Sequence, residues 1–386
     1  MKYAFWIPLI CLCTYLFCMC TSLNHKKSKH LQVDYEDVDE EVTAFVDSLI
    51  ILKPDNPSNE AYLSSFERLL SLPDRIYVVD RKGNKVVAFD DNGKFIASTL
   101  PKVGRGKNEY IRIMDAAADI STEKVYIACD SPYQIMVCDR NLNVIECIKM
   151  DVFFKEIAVD GICLYALLES EDQDGGYELR CFDKESLSER YQVIIRYDKV
   201  IRGVGGSGRH MTSNGVEVHV SMPFDNVIHK LKNGEVLESW SIDFGHRAFS
   251  YEDSKKLSPS TFFTKNSDKI WVIQNICASD SLLLFNTNEF GVYIMDKIEG
   301  SVTQYENLDN QRIGVFSSGL LPWGGSKGIP AIAYKVSATI LSQYKEYQAE
   351  DDSIELSNSI KELYYNYKED DNDLIVLGHI KGSKGT

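Results

Sequence analysis

From residue 75 onward apolar and polar side chains alternate with a period of two, and the alternation keeps returning. "RIYVVD" (75–80) is followed by "KVVAFDDNGKFIAST" (85–99). Later come "KVYIACD" (124–130) and "QIMVCDRNLNVIECI" (134–148). Successive residues of an extended strand point to opposite faces, so each run predicts a strand. Asn92-Gly93, Asn214-Gly215 and Asn233-Gly234 fall between runs. They predict tight hairpin turns, because such dipeptides accept the positive φ that those turns require.

The runs repeat. Laying residues 85–90 over 134–139 sets an offset of 49 residues that also places Phe95-Ile96 on Val144-Ile145. An internal repeat of this length predicts propeller blades. A third unit runs from "ICLYALLES" to "YELRCFDKESLSERYQV". A fourth holds "VEVHVSM" and "NVIHKLKNGEVLESWSID", and a fifth "LLLFNTNEFGVYIMDKIEGSVTQY". The sixth is the least regular. It takes "AIAYKV" with a return strand from "DLIVLGHIK" or from the early "VTAFVDSLIILK". Roughly 340 residues shared among six units is about 57 each, enough for four strands and their loops. The fold expected is therefore all-β, a six-bladed β-propeller of four-stranded antiparallel blades. Short helical insertions near the C-terminus are expected in "SATILSQYKEYQAE" and "IKELYYNYKE". Closing the ring protects blade edges, and the two chain ends are suited to share one blade.

The order "VGRGKNEY", "IMDAAAD", "KVYIACD", "QIMVCD" resembles NHL-type repeats: a glycine-rich turn ending in an aromatic residue, then apolar strands ending in aspartate. With "WSIDFG" (240–245) after the fourth unit, the layout resembles six-bladed propeller lipoproteins of Bacteroidota. The likeness covers about residues 43–381 and is strongest over the first two units. It implies a fold and an envelope location, and no activity.

The N-terminus agrees with that location. Lys2 precedes the apolar run "YAFWIPLICLCTYLFCM" and then "CTSLN", the layout of a signal peptide. Residues 1–19 are expected to be removed, with Cys20 lipidated and Cys18 as the competing site. Residues 20–43 are polar and charged and predict a flexible tether. The propeller is expected over 44–386. Acidic residues outnumber basic ones by 57 to 42, for a net charge of −15. That balance excludes nucleic acid as a partner and leaves the lipid anchor as the membrane contact. Six cysteines lie beyond Cys20, at 129, 138, 147, 163, 181 and 277. Their apolar strand settings predict mostly free thiols rather than three bridges.

Motifs that carry chemistry are sparse. "VGRGKNEY" (103–110) lacks the following helix of a phosphate loop and reads as a turn between blades. Arg105, Asn108, Glu109 and Tyr110 remain its candidate ligand contacts. "GVGGSG" (203–208) matches GxGxxG, but strand-like sequence follows it. His210, His219 and His229 stand nine and ten residues apart, which is no helical ligand spacing. Asp80, Asp90, Asp130, Asp139 and Asp183 end strands, where carboxylates accept hydrogen bonds from turn amides. There is no CxxC, G-x-S-x-G or HExxH. The leading expectation is a monomeric, non-catalytic module that binds a protein, peptide or glycan. It faces the periplasm or the cell surface at the outer membrane and needs no cofactor. Calcium held by scattered oxygen ligands stays open. The alternatives are a channel-site enzyme of metal-assisted hydrolase or lyase type and a structural subunit of an envelope complex.

Overall fold

Alternating side chains make a sheet worth burying on both faces, and this chain stacks its sheets around an axis. The computed structural model describes residues 27–35, 46–169, 176–187, 191–201, 203–205, 208–289, 291–305, 323–324, 331–337, 339–342 and 357–380. The leader, Cys18, Cys20 and most of "SATILSQYKEYQAE" lie outside them. Among the described residues no helix is long and apolar enough to cross a membrane.

Two strands come first, β1 (Lys27–Asp34) and β2 (Val46–Leu52). Four-stranded antiparallel meanders follow. The first is β3 (Arg68–Leu72), β4 (Arg75–Asp80), β5 (Lys85–Phe89) and β6 (Phe95–Ser98). The second is β7 (Ile113–Asp119), β8 (Lys124–Asp130), β9 (Tyr133–Cys138) and β10 (Val144–Lys149). The third is β11 (Glu156–Val159), β12 (Cys163–Glu169), β13 (Tyr177–Asp183) and β14 (Tyr191–Tyr197). The fourth is β15 (Met211–Ser213), β16 (Val218–Ser221), β17 (Val227–Lys232) and β18 (Glu235–Asp243). The fifth is β19 (Ile273–Ala278), β20 (Leu282–Thr287), β21 (Val292–Asp296) and β22 (Ser301–Tyr305). Then come β23 (Trp323–Gly324), β24 (Ala331–Val336) and β25 (Leu374–Ile380).

The repeat read from the sequence is real in register. Residues 85–89 and 134–138 fall on the third strands β5 and β9, with Asp90 and Asp139 just after them, and their matched followers on the fourth strands β6 and β10. The first strand of each meander touches the first strand of the next, and β23 returns to β3 as a parallel neighbour. The meanders thus radiate from a ring of first strands, as in a β-propeller. β2 pairs antiparallel with β25, which also pairs with β24, so both chain ends share a sheet.

The core lies between sheets rather than within one. Tyr77, Val79 and Val86 of the first meander pack on Ala116, Val125 and Ile127 of the second. Ala128 and Ile135 of the second pack on Leu164 and Phe182 of the third. Leu167 and Leu179 then meet Val218 and Val220 of the fourth. Each fully buried aliphatic side chain contributes about 1.5–3 kcal/mol. Polar pins recur between neighbouring sheets at one end of the ring. Arg140 pairs with Asp74, Lys184 with Asp119 at 2.6 Å, and the Asn233 amide donates to Asp160 Oδ2 at 2.6 Å.

Turns follow their local chemistry. Gly93, Gly215 and Gly234 all have positive φ, and at 233–234 the asparagine does as well. Asp90 and Asp139 each accept two turn amides, and Asp183 accepts the Glu185 amide. None of the six described cysteines is in a disulfide; Cys129, Cys138, Cys163, Cys181 and Cys277 are buried and Cys147 is half-buried.

Two features differ from expectation. Residues 27–34, read as part of a tether, form β1. It pairs in parallel with β18 over residues 27–32 and with β22 over 33–34. Leu31 and Val33 point inward and are buried, which places this polar stretch between two outer strands. Helices also arise outside the C-terminal region. Tyr251–Ser254 and Pro259–Lys265 sit between β18 and β19. The second begins with Pro259 in its first turn and Ser258 as N-cap. The C-terminal helix Asn358–Tyr365 covers part of "IKELYYNYKE" as expected.

Candidate functional site

In an antiparallel meander, the loops after the second and fourth strands emerge at the same end. That end, called here the crossover end, carries the loop 103–110 between β6 and β7. Val103 and Tyr110 form a parallel bridge, and the Gly104 amide donates to Tyr110 O at 2.9 Å. The Gly106 amide donates to Glu109 Oε2 at 2.6 Å. The loop therefore holds a carboxylate on a backbone amide, and that carboxylate is its own. Neither Gly104 nor Gly106 has positive φ; Asn108 does, at 63°. At 104 a Cβ would lie 2.0 Å from Glu109 Oε2, so a larger residue there would have to displace that carboxylate.

The four candidate contacts separate on this geometry. Arg105 and Asn108 are exposed, and Glu109 is half-buried against the loop. Tyr110 is fully buried. Its hydroxyl bonds Thr99 Oγ1 at 2.7 Å and Asn84 O at 3.0 Å, and burial raises its pKa. Tyr110 is thus a core residue between the first two sheets.

A second group, not singled out in the sequence, closes the axis near the same end. Arg68 leaves β3 and spans the ring. Its Nη1 donates to Asp115 Oδ2 at 2.5 Å and to Ile157 O at 2.8 Å, and its Nη2 donates to Met211 O. Asp115 also accepts the Ile157 amide at 2.9 Å and faces Arg209 Nη2 at 3.7 Å. Glu156 accepts the amides of His210 and Met211 at 2.8 and 3.0 Å. Arg68, Asp115, Glu156, Arg209 and His210 are all buried. Two arginines and two carboxylates balance in charge, as burial demands. His210 is kept toward its neutral form by desolvation.

The histidines do not converge. His219 lies opposite Lys230 and His229 opposite Val220, so the two point to different faces. His219 stacks on Trp240 with centroids 6.0 Å apart, and His229 Nδ1 bonds Ser239 Oγ at 2.8 Å. Among the described residues no three His, Cys, Asp or Glu side chains gather as a metal-ligand set. The segment after "GVGGSG" enters β15 directly rather than a helix.

The chain belongs to the DUF4934 family, a domain of unknown function whose model matches residues 58–379. Among proteins with curated descriptions, none matches it. Its structure is similar to that of a protein from Bacteroides fragilis described as exported. The two are 13% identical with a TM-score of 0.66, over 92% of this chain and 100% of that one. It is also similar to a member of the DUF4221 family from Bacteroides vulgatus, 9% identical with a TM-score of 0.51, over 87% and 97%. At these identities the likeness is one of fold.

Proposed function

We propose that the chain is a lipid-anchored, six-bladed, NHL-like propeller of the cell envelope. Its crossover end binds a protein, peptide or glycan without chemical turnover. The five described meanders, with a sixth blade from β23, β24, β25 and β2, support that blade count. The signal-like leader and the exported Bacteroides neighbour support an extracytoplasmic location. The observation that carries the binding reading is the Arg68–Asp115 cluster. A channel hydrolase needs carboxylates free to hold a metal or move a proton, whereas here Asp115 Oδ2 and Glu156 Oε2 accept arginine or backbone donors and Asp115 Oδ1 faces Arg209. The rim is then the surface left for recognition.

Photo-crosslinking residues at Arg105 and at Lys107 in intact cells test this, with Glu235 at the opposite end as control. Discrete adducts from the first two positions and none from Glu235 are expected. Adducts from none of them would overturn the reading. So would about one bound metal per chain by elemental analysis whose removal abolishes hydrolytic turnover. Fatty-acid analogue labelling lost on Cys20→Ser checks the anchor, and loss only on Cys18→Ser moves it.

A further inference from the structure

The crossover end of the first two meanders carries positive charge in a protein whose net charge is −15. Arg81 and Lys82 lie in the turn between β4 and β5, and Arg105 and Lys107 in the loop 103–110; all four are exposed. The two loops are stitched together. Asn84 Nδ2 donates to Ile111 O at 2.7 Å, and Asn84 Oδ1 accepts the Ile113 amide at 2.9 Å.

Three nearby carboxylates already have partners, while Asp151 is exposed beside Met150, whose amide donates to Tyr133 O at 2.9 Å. Asp80 is fully buried and accepts the Gly83 amide at 2.7 Å. Glu109 accepts the Gly106 amide, and Asp130 pairs with Arg112. Among the described residues none of the four cations forms an ion pair.

Apolar side chains share the patch. Val103, Ile111 and Tyr133 are exposed. The segments that carry them are held together: Val103 bridges Tyr110, the Ile111 amide donates to Ser131 O at 2.9 Å, and Gln134 Nε2 donates to Glu109 O at 2.9 Å.

We infer that this patch binds an acidic peptide segment that alternates carboxylates with apolar side chains. The inference rests on the binding-module reading and names its partner class. Charge sign selects a polyanion. Width selects against a membrane surface, since a bilayer plane also meets the acidic remainder of the protein. A narrow chain feels mainly charges within a Debye length of about 8 Å. Composition selects peptide over glycan, since two of the three apolar groups are aliphatic. The sole aromatic ring among them, Tyr133, is tilted against Phe153 with centroids 6.1 Å apart.

The test is fluorescence anisotropy on the full mature chain with a labelled peptide alternating glutamate with leucine and valine. Saturable binding is expected, absent for the same peptide with glutamine and weakened as salt rises from about 50 to about 300 mM. Arg105→Glu with Lys107→Glu should weaken binding about tenfold, and Arg81→Glu with Lys82→Glu likewise. Lys94→Glu, in a turn at the opposite end, should leave it unchanged. Melting curves confirm that each variant folds. No saturable binding, an equal effect of Lys94→Glu, or binding only of polygalacturonate fragments or phosphatidylglycerol vesicles would overturn the inference. If the peptide fails while in-cell crosslinks at Arg105 and Lys107 persist, the partner class falls and the binding module stands. If both fail, both fall.

Discussion

Arg68 Nη1 and Asp115 Oδ2 meet at 2.5 Å across the first strands of two adjacent sheets, and both side chains are buried. The pair joins sheets that are not neighbours as well, because the same guanidinium reaches Ile157 O and Met211 O. Removing one partner unbalances a buried cluster: without Arg68, Asp115 keeps only the more distant Arg209 Nη2 at 3.7 Å. Arg68→Met or Asp115→Asn should therefore destabilise by about 3–5 kcal/mol. The double variant should cost clearly less than the sum of the two. Urea unfolding of the four proteins measures this. Single-variant losses under about 1 kcal/mol would mean that the cluster does not hold the axis.

Gly104 and Glu109 give a second test. A Cβ at 104 would lie 2.0 Å from Glu109 Oε2, while at 106 the same atom would be 3.0 Å away. Gly104→Val should lower stability by about 1–3 kcal/mol and Gly106→Val by less. Adding Glu109→Ala to Gly104→Val should restore part of the loss, because it removes the clashing carboxylate. Melting temperatures of the set decide it. No rescue would place the strain in the backbone instead.

What the sequence disclosed was local. The alternation of "KVVAF" and the carboxylates of Asp90 and Asp139 act over a few residues, so strands β5 and β9 and their turns were legible. The pairing of β2 with β25 was legible too, because two apolar runs at opposite ends of the chain had no other edge to cover. The axial cluster was not. Arg68 meets Asp115 across 47 residues and Met211 across 143, and no spacing rule links positions brought together only by ring closure. Tyr110 looked like a loop residue, yet its ring fills the space between two sheets. β1 was missed because among its described side chains, 28–34, only Leu31 and Val33 face inward, too weak an alternation to stand out from a polar tether.

That strand yields its own prediction. β1 covers the edges of both β18 and β22, and Tyr35 just after it donates its hydroxyl to Phe244 O at 3.0 Å. Without β1, two outer strands present unpaired backbone groups, a template for association between chains. Leu31→Asp with Val33→Asp should expel the strand, lower the melting temperature and produce concentration-dependent oligomers on size exclusion. Hydrogen exchange should rise in β18 and β22 and stay unchanged in β8. Unchanged protection of β18 would show that its edge is covered in another way.

Thiol reactivity separates one cysteine from the others. Cys147 is half-buried and the other five are buried. Desolvation raises the Cys147 pKa, and the neighbouring Glu146 adds to the shift, so its reaction should be slow at neutral pH. Peptide mapping after alkylation of the native protein should find Cys147 modified first. In denaturant all six should react without prior reduction. Early modification of Cys129 or Cys138 would mean that the sheet between β8 and β10 opens readily.

His219 sets a pH dependence whose sign follows from its burial. It is fully buried between sheets, stacked on Trp240, and desolvation holds its pKa well below the ordinary value, with Lys297 and Lys230 adding repulsion. An unfolded histidine takes up its proton near pH 6.5, about where the free side chain titrates. Folded His219 does so only far lower. Between those two values the unfolded chain binds more protons, so its stability rises with pH. The contribution of neutral His219 is complete above about pH 6.5 and is lost as pH falls below it, by about 1.4 kcal/mol per unit. His219→Phe keeps a ring against Trp240 and removes the titration. Urea unfolding of the wild type and of His219→Phe between about pH 8 and about pH 5 should show curves that run parallel above pH 6.5. Below it the wild type should fall more steeply. Parallel curves over the whole range would mean that His219 takes up its proton in the folded protein as readily as in the unfolded chain.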